Sequence, residues 1–248
     1  MLPEEAQTEN APPCSLPSAA TPERPDFQIS ADTPLSEDVA LGFIKNDDLT
    51  AEQLEQISKH TAVLKSRKVR LALAAHPRTP RRLALRLVRE LYTFDLAQFS
   101  LRSAVPADLR RIADELLVAR LAAITLGERV SLARRSSAMV AAALLLDKES
   151  RVWQTALENP RLTEAAIGKT LQRPGATAGF VEAVSHHAKW SVRHEVRVAL
   201  LRHPHTPLAR ALDFARHLPP AQLRDILHNS RLPEKIKMYL WKDLAARS

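Results

Sequence analysis

The chain has 248 residues, of which 45% are apolar, 4% are aromatic and only 5 are glycine. This composition is rich in leucine, alanine and arginine, which lose little rotamer freedom in a helix, so it favours helices and disfavours a β-sheet fold. The single cysteine, Cys14, excludes an intrachain disulfide and any iron–sulfur or zinc site held by several cysteines, and it fits a reducing cytoplasm. No stretch approaches the roughly 18 apolar residues of a membrane span, and the N-terminus lacks the pattern of a secretory signal, so we expect neither membrane insertion nor secretion.

The first predicted segment is an acidic, proline-rich tail over residues 1–36. Residues 1–38 carry a net charge of −7, whereas residues 39–248 carry about +15. The tail composition cannot bury enough apolar surface to become ordered, so we predict a disordered segment followed by one helical domain over residues 37–248. The opposite charges leave two roles open for the tail, a solvated linker or a mask over the basic domain.

A short pattern then recurs, in which an apolar helix ends at a His-Pro or Asn-Pro pair. Clear copies occupy residues 69–80, 152–163 and 196–207, a weaker one spans 223–233, and eroded ones lie at 103–106 and 135–139. Three of the five steps lie near 25 residues, one is 33 residues, and one of 44 residues is expected to hide a further unit around 174–190. Such a period is typical of stacked helical repeats, in which one unit cannot bury its apolar face alone.

Proline defines the corner of each clear copy. Pro77 and Pro204 lack a backbone N–H and bias the preceding histidine away from helical geometry, so the first helix is predicted to end there. Thr79, Thr163 and Thr206 are expected to cap the second helices, with a proline at the first helical position after Thr79 and Thr206. The helical spacing also predicts that the continuous core includes Leu71, Leu73, Leu87, Leu157, Val198 and Leu200.

This order of apolar helix, His/Asn-Pro-x-Thr-Pro corner and second helix resembles the leucine-rich repeat variant family and, more loosely, HEAT-like repeats, over roughly residues 65–245. The resemblance implies an all-α, right-handed α-solenoid of short degenerate helical repeats and a binding role. Some members of that family carry an N-terminal iron–sulfur module on clustered cysteines, which a chain with only Cys14 does not match.

Catalytic signatures are absent from the sequence. The phosphate-binding P-loop, the dinucleotide-binding glycine motif, the zincin motif and the hydrolase nucleophile elbow are all missing, so we expect no enzymatic activity and no cofactor. His186, His187 and His194, or His203 and His205, are the only candidate metal ligands that stand out. Their positions at helix ends and repeat corners favour structural roles, and no metal is predicted.

Arginine is the residue type that points most clearly to a function. Arg82, Arg86 and Arg89 recur at helical spacing, and Arg193 and Arg197 are four residues apart. Equivalent positions of stacked repeats line one surface, where arginines would bind phosphates or an acidic peptide with strong salt dependence. A solvated surface on which arginine stems cover apolar neighbours has equal weight. The candidate ligand-binding residues are Arg78, Arg82, Arg86, Arg89, Arg193, Arg197 and Trp190.

Three tryptophans stand out in a chain so poor in aromatic residues. Trp153 or Trp190 would be able to stack on a base or a cation, although core packing is the favoured role. Trp241, together with Tyr239, is expected to cap the last repeat.

The sequence therefore predicts a non-enzymatic binding or scaffold protein whose basic surface binds nucleic acid or another polyanion. The alternative is a protein–protein interaction scaffold that binds an acidic protein segment. A minor alternative is a HEAT-like DNA glycosylase, for which Glu158 and Glu195, each five residues beyond a tryptophan, are the candidate acids.

Overall fold

The computed structural model describes residues 35–247, so the predicted tail lies outside the described residues except for Leu35 and Ser36. Within the described range the chain forms sixteen helices and no strand, which confirms the all-α prediction. The helices are α1 (Glu37–Ile44), α2 (Ala51–Lys59), α3 (Thr61–Leu64), α4 (Arg67–Ala75), α5 (Arg81–Glu90), α6 (Thr93–Ser100), α7 (Ala107–Arg120), α8 (Leu126–Arg135), α9 (Ala138–Leu144), α10 (Ser150–Leu157), α11 (Glu164–Leu171), α12 (Ala178–His186), α13 (His194–Leu201), α14 (Leu208–Arg216), α15 (Pro220–His228) and α16 (Glu234–Ala245).

The predicted corners are confirmed as helix breaks. Helix α4 ends before His76-Pro77, α10 ends before Asn159-Pro160 and α13 ends before His203-Pro204, with α5, α11 and α14 following. The weaker and eroded copies at 103–106, 135–139 and 223–233 also coincide with the α6–α7, α8–α9 and α15–α16 connections. At the three clear copies, proline interrupts the helices through its missing N–H and its restriction on the preceding residue.

The corner side chains close their own turns in a recurring way. Nδ1 of His76, His187 and His203 and the amide oxygen of Asn159 each accept a hydrogen bond from the backbone N–H two residues later, at 2.8–3.2 Å. Histidine and asparagine share this acceptor, which explains why they alternate at one position of the pattern.

The capping prediction is correct at one corner and wrong at two. Thr163 accepts from the N–H of Ala166 at 3.3 Å and caps α11. Thr79 and Thr206 instead donate back to the carbonyls of Leu73 and Leu200, each at 2.6 Å. The last carbonyls of a helix lack intrahelical partners, so the hydroxyl satisfies the end of the first helix instead of the start of the second. The following prolines take the N-cap position and not the first helical one.

Helix packing is local in the chain. Extensive contacts join α5, α7, α9, α11, α13 and α15 in one series and α8, α10 and α12 in another, and every extensively contacting pair lies within three helices along the chain. The six predicted core residues, listed above from Leu71 to Leu200, are all buried in one continuous apolar core.

The long step in the repeat pattern holds less than a full unit. Between α11 and α13 the chain forms only α12, followed by the corner at His187. Because one unpaired helix, α12, comes between two copies, α13, the first helix of its copy, packs on α11, the second helix of the preceding copy. None of the helices between residues 35 and 247 combines the length and apolar composition that crossing a membrane requires.

Candidate basic binding surface

Helix α5 presents three of the predicted arginines on one exposed face. Leu83 and Leu87 are buried, whereas Arg82, Arg86 and Arg89, which we call the α5 stripe, point to solvent at spacings of four and three residues. Among the described residues no carboxylate lies within ion-pair distance of these three guanidinium groups; the α5 ion pair belongs to Arg81, with Asp108 at 2.5 Å. The α5 stripe is therefore an exposed row of arginines without an ion-pair partner in the described part of the chain.

A fourth guanidinium is fixed at the C-terminal end of the α5 stripe. Arg120 on α7 donates from Nη1 to the carbonyl of Leu91 at 2.6 Å and from Nη2 to that of Arg89 at 3.0 Å. Carbonyls at a helix C-terminus attract cations, so these bonds anchor a positive charge next to Arg89. The sequence alone did not single out Arg120.

An exposed aromatic ring follows α5 directly in the chain. Tyr92 is 57% exposed, and the guanidinium carbons of Arg67 and Arg70 lie 5.6 and 5.5 Å from its ring centroid. Arg67 is held by the buried Asp95 at 2.6 Å, whose hydrogen bond and charge raise the pKa of Arg67. Cations near a ring stabilise its position, so Tyr92 offers a fixed flat surface beside arginines.

Arg78, Arg193 and Arg197 lie outside α5 and have different surroundings from the α5 stripe. Arg78 binds the carbonyl of Asp48 at 2.9 Å and its carboxylate at 3.4 Å. Arg193 is the exposed N-cap of α13, and Arg197 donates from Nε to the carbonyl of Ser191 at 2.8 Å. Helix α13 belongs to the same series of packed helices as α5 but makes no extensive contact with it, so one arginine strip that joins the two helices stays a prediction.

Trp190 is a core residue, which corrects its place among the ligand-binding candidates. Trp190 is only 2% exposed, and its indole N–H donates to the carbonyl of Leu157 at 2.8 Å. The ammonium of Lys189 lies 4.1 Å from the ring centroid. A buried ring with its polar atom satisfied cannot stack on a ligand, so the structure supports the favoured packing role.

The other aromatic and acidic candidates also have structural settings. Trp153 is buried and packs edge-on against Phe180, with ring centroids 5.9 Å apart. Trp241, on the last helix, is half-buried beside His228 at 5.3 Å, while Tyr239 is exposed. The side chain of Glu158 is 73% exposed and contacts Nε2 of His187 at 3.0 Å.

The candidate metal-ligand histidines His187 and His194 have separate partners. His187 contacts Glu158, whereas Nε2 of His194 lies 3.1 Å from the side-chain amide nitrogen of Gln222. Between residues 35 and 247 no three side chains of histidine, cysteine, aspartate or glutamate are grouped as metal ligands would be.

No protein-family model matches the chain, and no curated protein or solved structure is significantly similar to it. The geometry of the basic surface is therefore the basis for a functional assignment.

Proposed function

We propose that the protein is a non-enzymatic binding protein whose basic surface binds nucleic acid or another polyanion. The observation that carries this proposal is the α5 stripe, in which Arg82, Arg86 and Arg89 are exposed and have no carboxylate partner among the described residues. Three adjacent guanidinium groups without ion-pair partners favour a ligand with regularly spaced negative charges.

We also propose that the helices form a right-handed α-solenoid of repeats near 25 residues. The local packing of successive helices and the shared corner bonds of His76, Asn159 and His203 support this arrangement. A solenoid would give the α5 stripe an extended neighbouring surface, on which a linear ligand can make several contacts.

Single-stranded nucleic acid is the polyanion that the surroundings of the α5 stripe favour. Phosphates would pair with the arginines and the anchored Arg120, while a base would stack on Tyr92 next to Arg70. The alternative ligand, an acidic protein segment, has support from the same part of the chain, because Phe94, two residues after Tyr92, is exposed and would contact an apolar side chain.

A direct comparison of ligands tests the proposal. A labelled single-stranded oligonucleotide and a labelled glutamate-rich peptide containing leucine would be titrated with the full chain, with fluorescence anisotropy as the readout. We expect the oligonucleotide to bind and its affinity to fall steeply as salt rises, because phosphate contacts release counterions. No oligonucleotide binding at low salt would contradict the proposal, and binding of the peptide alone would support the alternative.

A matched pair of variants locates the binding surface. We expect the α5-stripe variant R82Q/R86Q/R89Q to weaken oligonucleotide binding by tenfold or more, since each lost phosphate contact removes a charge-assisted interaction of about 1 kcal/mol or less at an exposed site. The control R224Q/K235Q/K242Q removes the same charge from exposed residues of α15 and α16 that have no ion-pair partner among the described residues. Equal losses in both variants would mean that only the overall charge matters.

A further inference from the structure

A second basic feature lies far along the chain from α5, where three corners meet. A cavity of about 550 Å³ opens between the α11–α12, α13–α14 and α15–α16 connections. We call it the corner pocket and define it by its basic lining residues, Arg173, Arg202, His203, His205 and Arg231. The remaining lining residues are uncharged, so no acidic side chain of the described chain lines the cavity.

The arginines of the corner pocket are exposed and uncompensated. None of the guanidinium groups of Arg173, Arg202 and Arg231 makes a side-chain hydrogen bond or an ion pair within residues 35–247. The backbone holds two of them together, because the N–H of Arg231 donates to the carbonyl of Arg202 at 3.1 Å. Three cations that share one cavity repel one another, and an anion between them would relieve that repulsion.

The equivalent corner near the N-terminus shows how the same local structure is neutralised elsewhere. There, Nε2 of His76 contacts the carbonyl of Asn46 at 3.2 Å, and Arg78 pairs with Asp48 at 3.4 Å. Both corners share the threonine bond to the preceding helix, at 2.6 Å in each case. The difference between them is therefore the pairing of the polar groups and not the fold of the corner.

His203 supplies a hydrogen-bond donor that faces the corner pocket. The residue is 8% exposed, and its Nδ1 accepts from the N–H of His205 at 3.2 Å. In the neutral ring the proton is therefore on Nε2, which has no hydrogen-bond partner in the described part of the chain although the side chain lines the corner pocket. An N–H that faces a cavity without a protein partner is free to donate to a ligand oxygen.

From this arrangement we propose that the corner pocket binds a phosphoryl dianion, either inorganic phosphate or the phosphomonoester group of a small organic phosphate. Guanidinium groups bind phosphate oxygens through paired hydrogen bonds, and the Nε2–H of His203 would donate to another oxygen. The volume lies within the range of small-molecule sites, roughly 300–1,000 Å³. Leu171, Pro174 and Ala199 supply apolar lining that would contact the organic part of an ester.

The proposal goes beyond nucleic-acid binding, because it concerns different residues and a small ligand. Burial, and then the positive charges of His205 and Arg231, lower the pKa of His203 in the free protein. A bound dianion acts in the opposite direction, since it stabilises the imidazolium. Ligand binding is therefore expected to raise the pKa of His203, a shift that a structural role alone would not produce.

The test is an NMR titration of the histidine side chains of the full chain with inorganic phosphate, at constant ionic strength maintained with chloride. The His203 signals, assigned with the variant H203N, should shift and saturate, and the pKa of His203 should rise by about one unit or more. H203N retains the corner acceptor, as Asn159 does at the equivalent position. No change in the His203 signals up to about 10 mM phosphate would overturn the proposal.

Two further arms identify the ligand source and the contacting residues. Tighter binding of a nucleoside 5′-monophosphate than of phosphate would support an organic ester as the ligand, and equal affinity would support the phosphoryl group alone. We expect R202Q/R231Q to weaken phosphate binding by tenfold or more, whereas R224Q, outside the corner pocket, changes it less than about twofold. Unchanged binding by R202Q/R231Q, with the fold verified by circular dichroism, would overturn the proposal. The α5-stripe variant R82Q/R86Q/R89Q should bind phosphate normally, so this result is separable from that for nucleic acid.

Discussion

The corner at Asn159 offers a sharp test of how the repeats are held together. Asn159 is fully buried, and its side-chain amide donates to the carbonyls of Ala133 at 2.8 Å and Ser136 at 3.3 Å. Its oxygen accepts from the N–H of Arg161 at 2.8 Å. The side chain thus joins its own corner to the end of α8 in the preceding part of the stack.

Replacing Asn159 by alanine leaves two carbonyls and one N–H without these partners. Each unsatisfied buried group costs about 1–3 kcal/mol, and partial hydration reduces the sum, so we expect Asn159→Ala to lower the free energy of unfolding by about 2–4 kcal/mol. Asn159→Asp keeps the shape and the acceptor but faces carbonyl oxygens with a carboxylate, so it should be at least as destabilising at neutral pH.

Urea unfolding followed by far-UV circular dichroism measures the effect. Asn229→Ala is the matched control, because Asn229 is exposed and its side chain bonds only to Asp225 one turn earlier. The control should change the free energy of unfolding by about 0.5 kcal/mol or less. A loss for Asn159→Ala no larger than that of the control would refute the role of the corner bonds in stability.

Three other substitutions test the packing and electrostatics of the domain by the same unfolding measurements. Leu87→Ala, at a fully buried position of α5, should cost about 2–5 kcal/mol; a cost near zero would mean that the helix packing is incorrect. Nη1 of Arg129 contacts the two carboxylate oxygens of Asp147 at 2.7 and 2.9 Å. Asp147→Asn leaves this largely buried guanidinium without its counter-charge, so it should lower the free energy of unfolding by about 3 kcal/mol. An unchanged free energy of unfolding would contradict this pairing. Burial raises the pKa of Asp114 in the folded state. The protonated carboxyl therefore stabilises the fold at pH values below the pKa that Asp114 has in the unfolded chain. This contribution is lost as pH rises through the higher pKa of the folded state. Asp114→Asn should therefore raise Tm relative to wild type at pH 7 but not below about pH 4, and a pH-independent difference would exclude this cause.

Local chemistry explains which parts of the fold the sequence could predict. Pro77, Pro160 and Pro204 lack an amide proton, so the helix breaks follow from the sequence alone. The sequence does not predict whether the threonines donate or accept, because a hydroxyl can do both. They donate because the carbonyls of Leu73 and Leu200 lie within hydrogen-bond distance in the folded corner.

The basic sites were harder to predict, because they depend on contacts between distant residues. Helical spacing alone placed Arg82, Arg86 and Arg89 on one exposed face, as the structure shows. Arg120 reaches α5 across about 30 residues, which no local pattern reveals. Core packing was the favoured role of Trp190 in the sequence, but only the structure shows the carbonyl of Leu157 that accepts its indole N–H.

The corner pocket had one signal in the sequence. Arg173, Arg202 and Arg231 are spaced by 29 residues, each at a corner, but only the stacking of the three connections shows that they share a cavity.

The most direct measurement of the central claim is the salt dependence of oligonucleotide binding by the wild-type protein and by R82Q/R86Q/R89Q. For a single strand the logarithm of the binding constant falls with the logarithm of salt concentration with a slope of about −0.7 per phosphate contact. If the α5 stripe makes three such contacts, the slope for the variant should be shallower than that of the wild-type protein by about 2. Parallel lines for the two proteins would contradict binding at the α5 stripe.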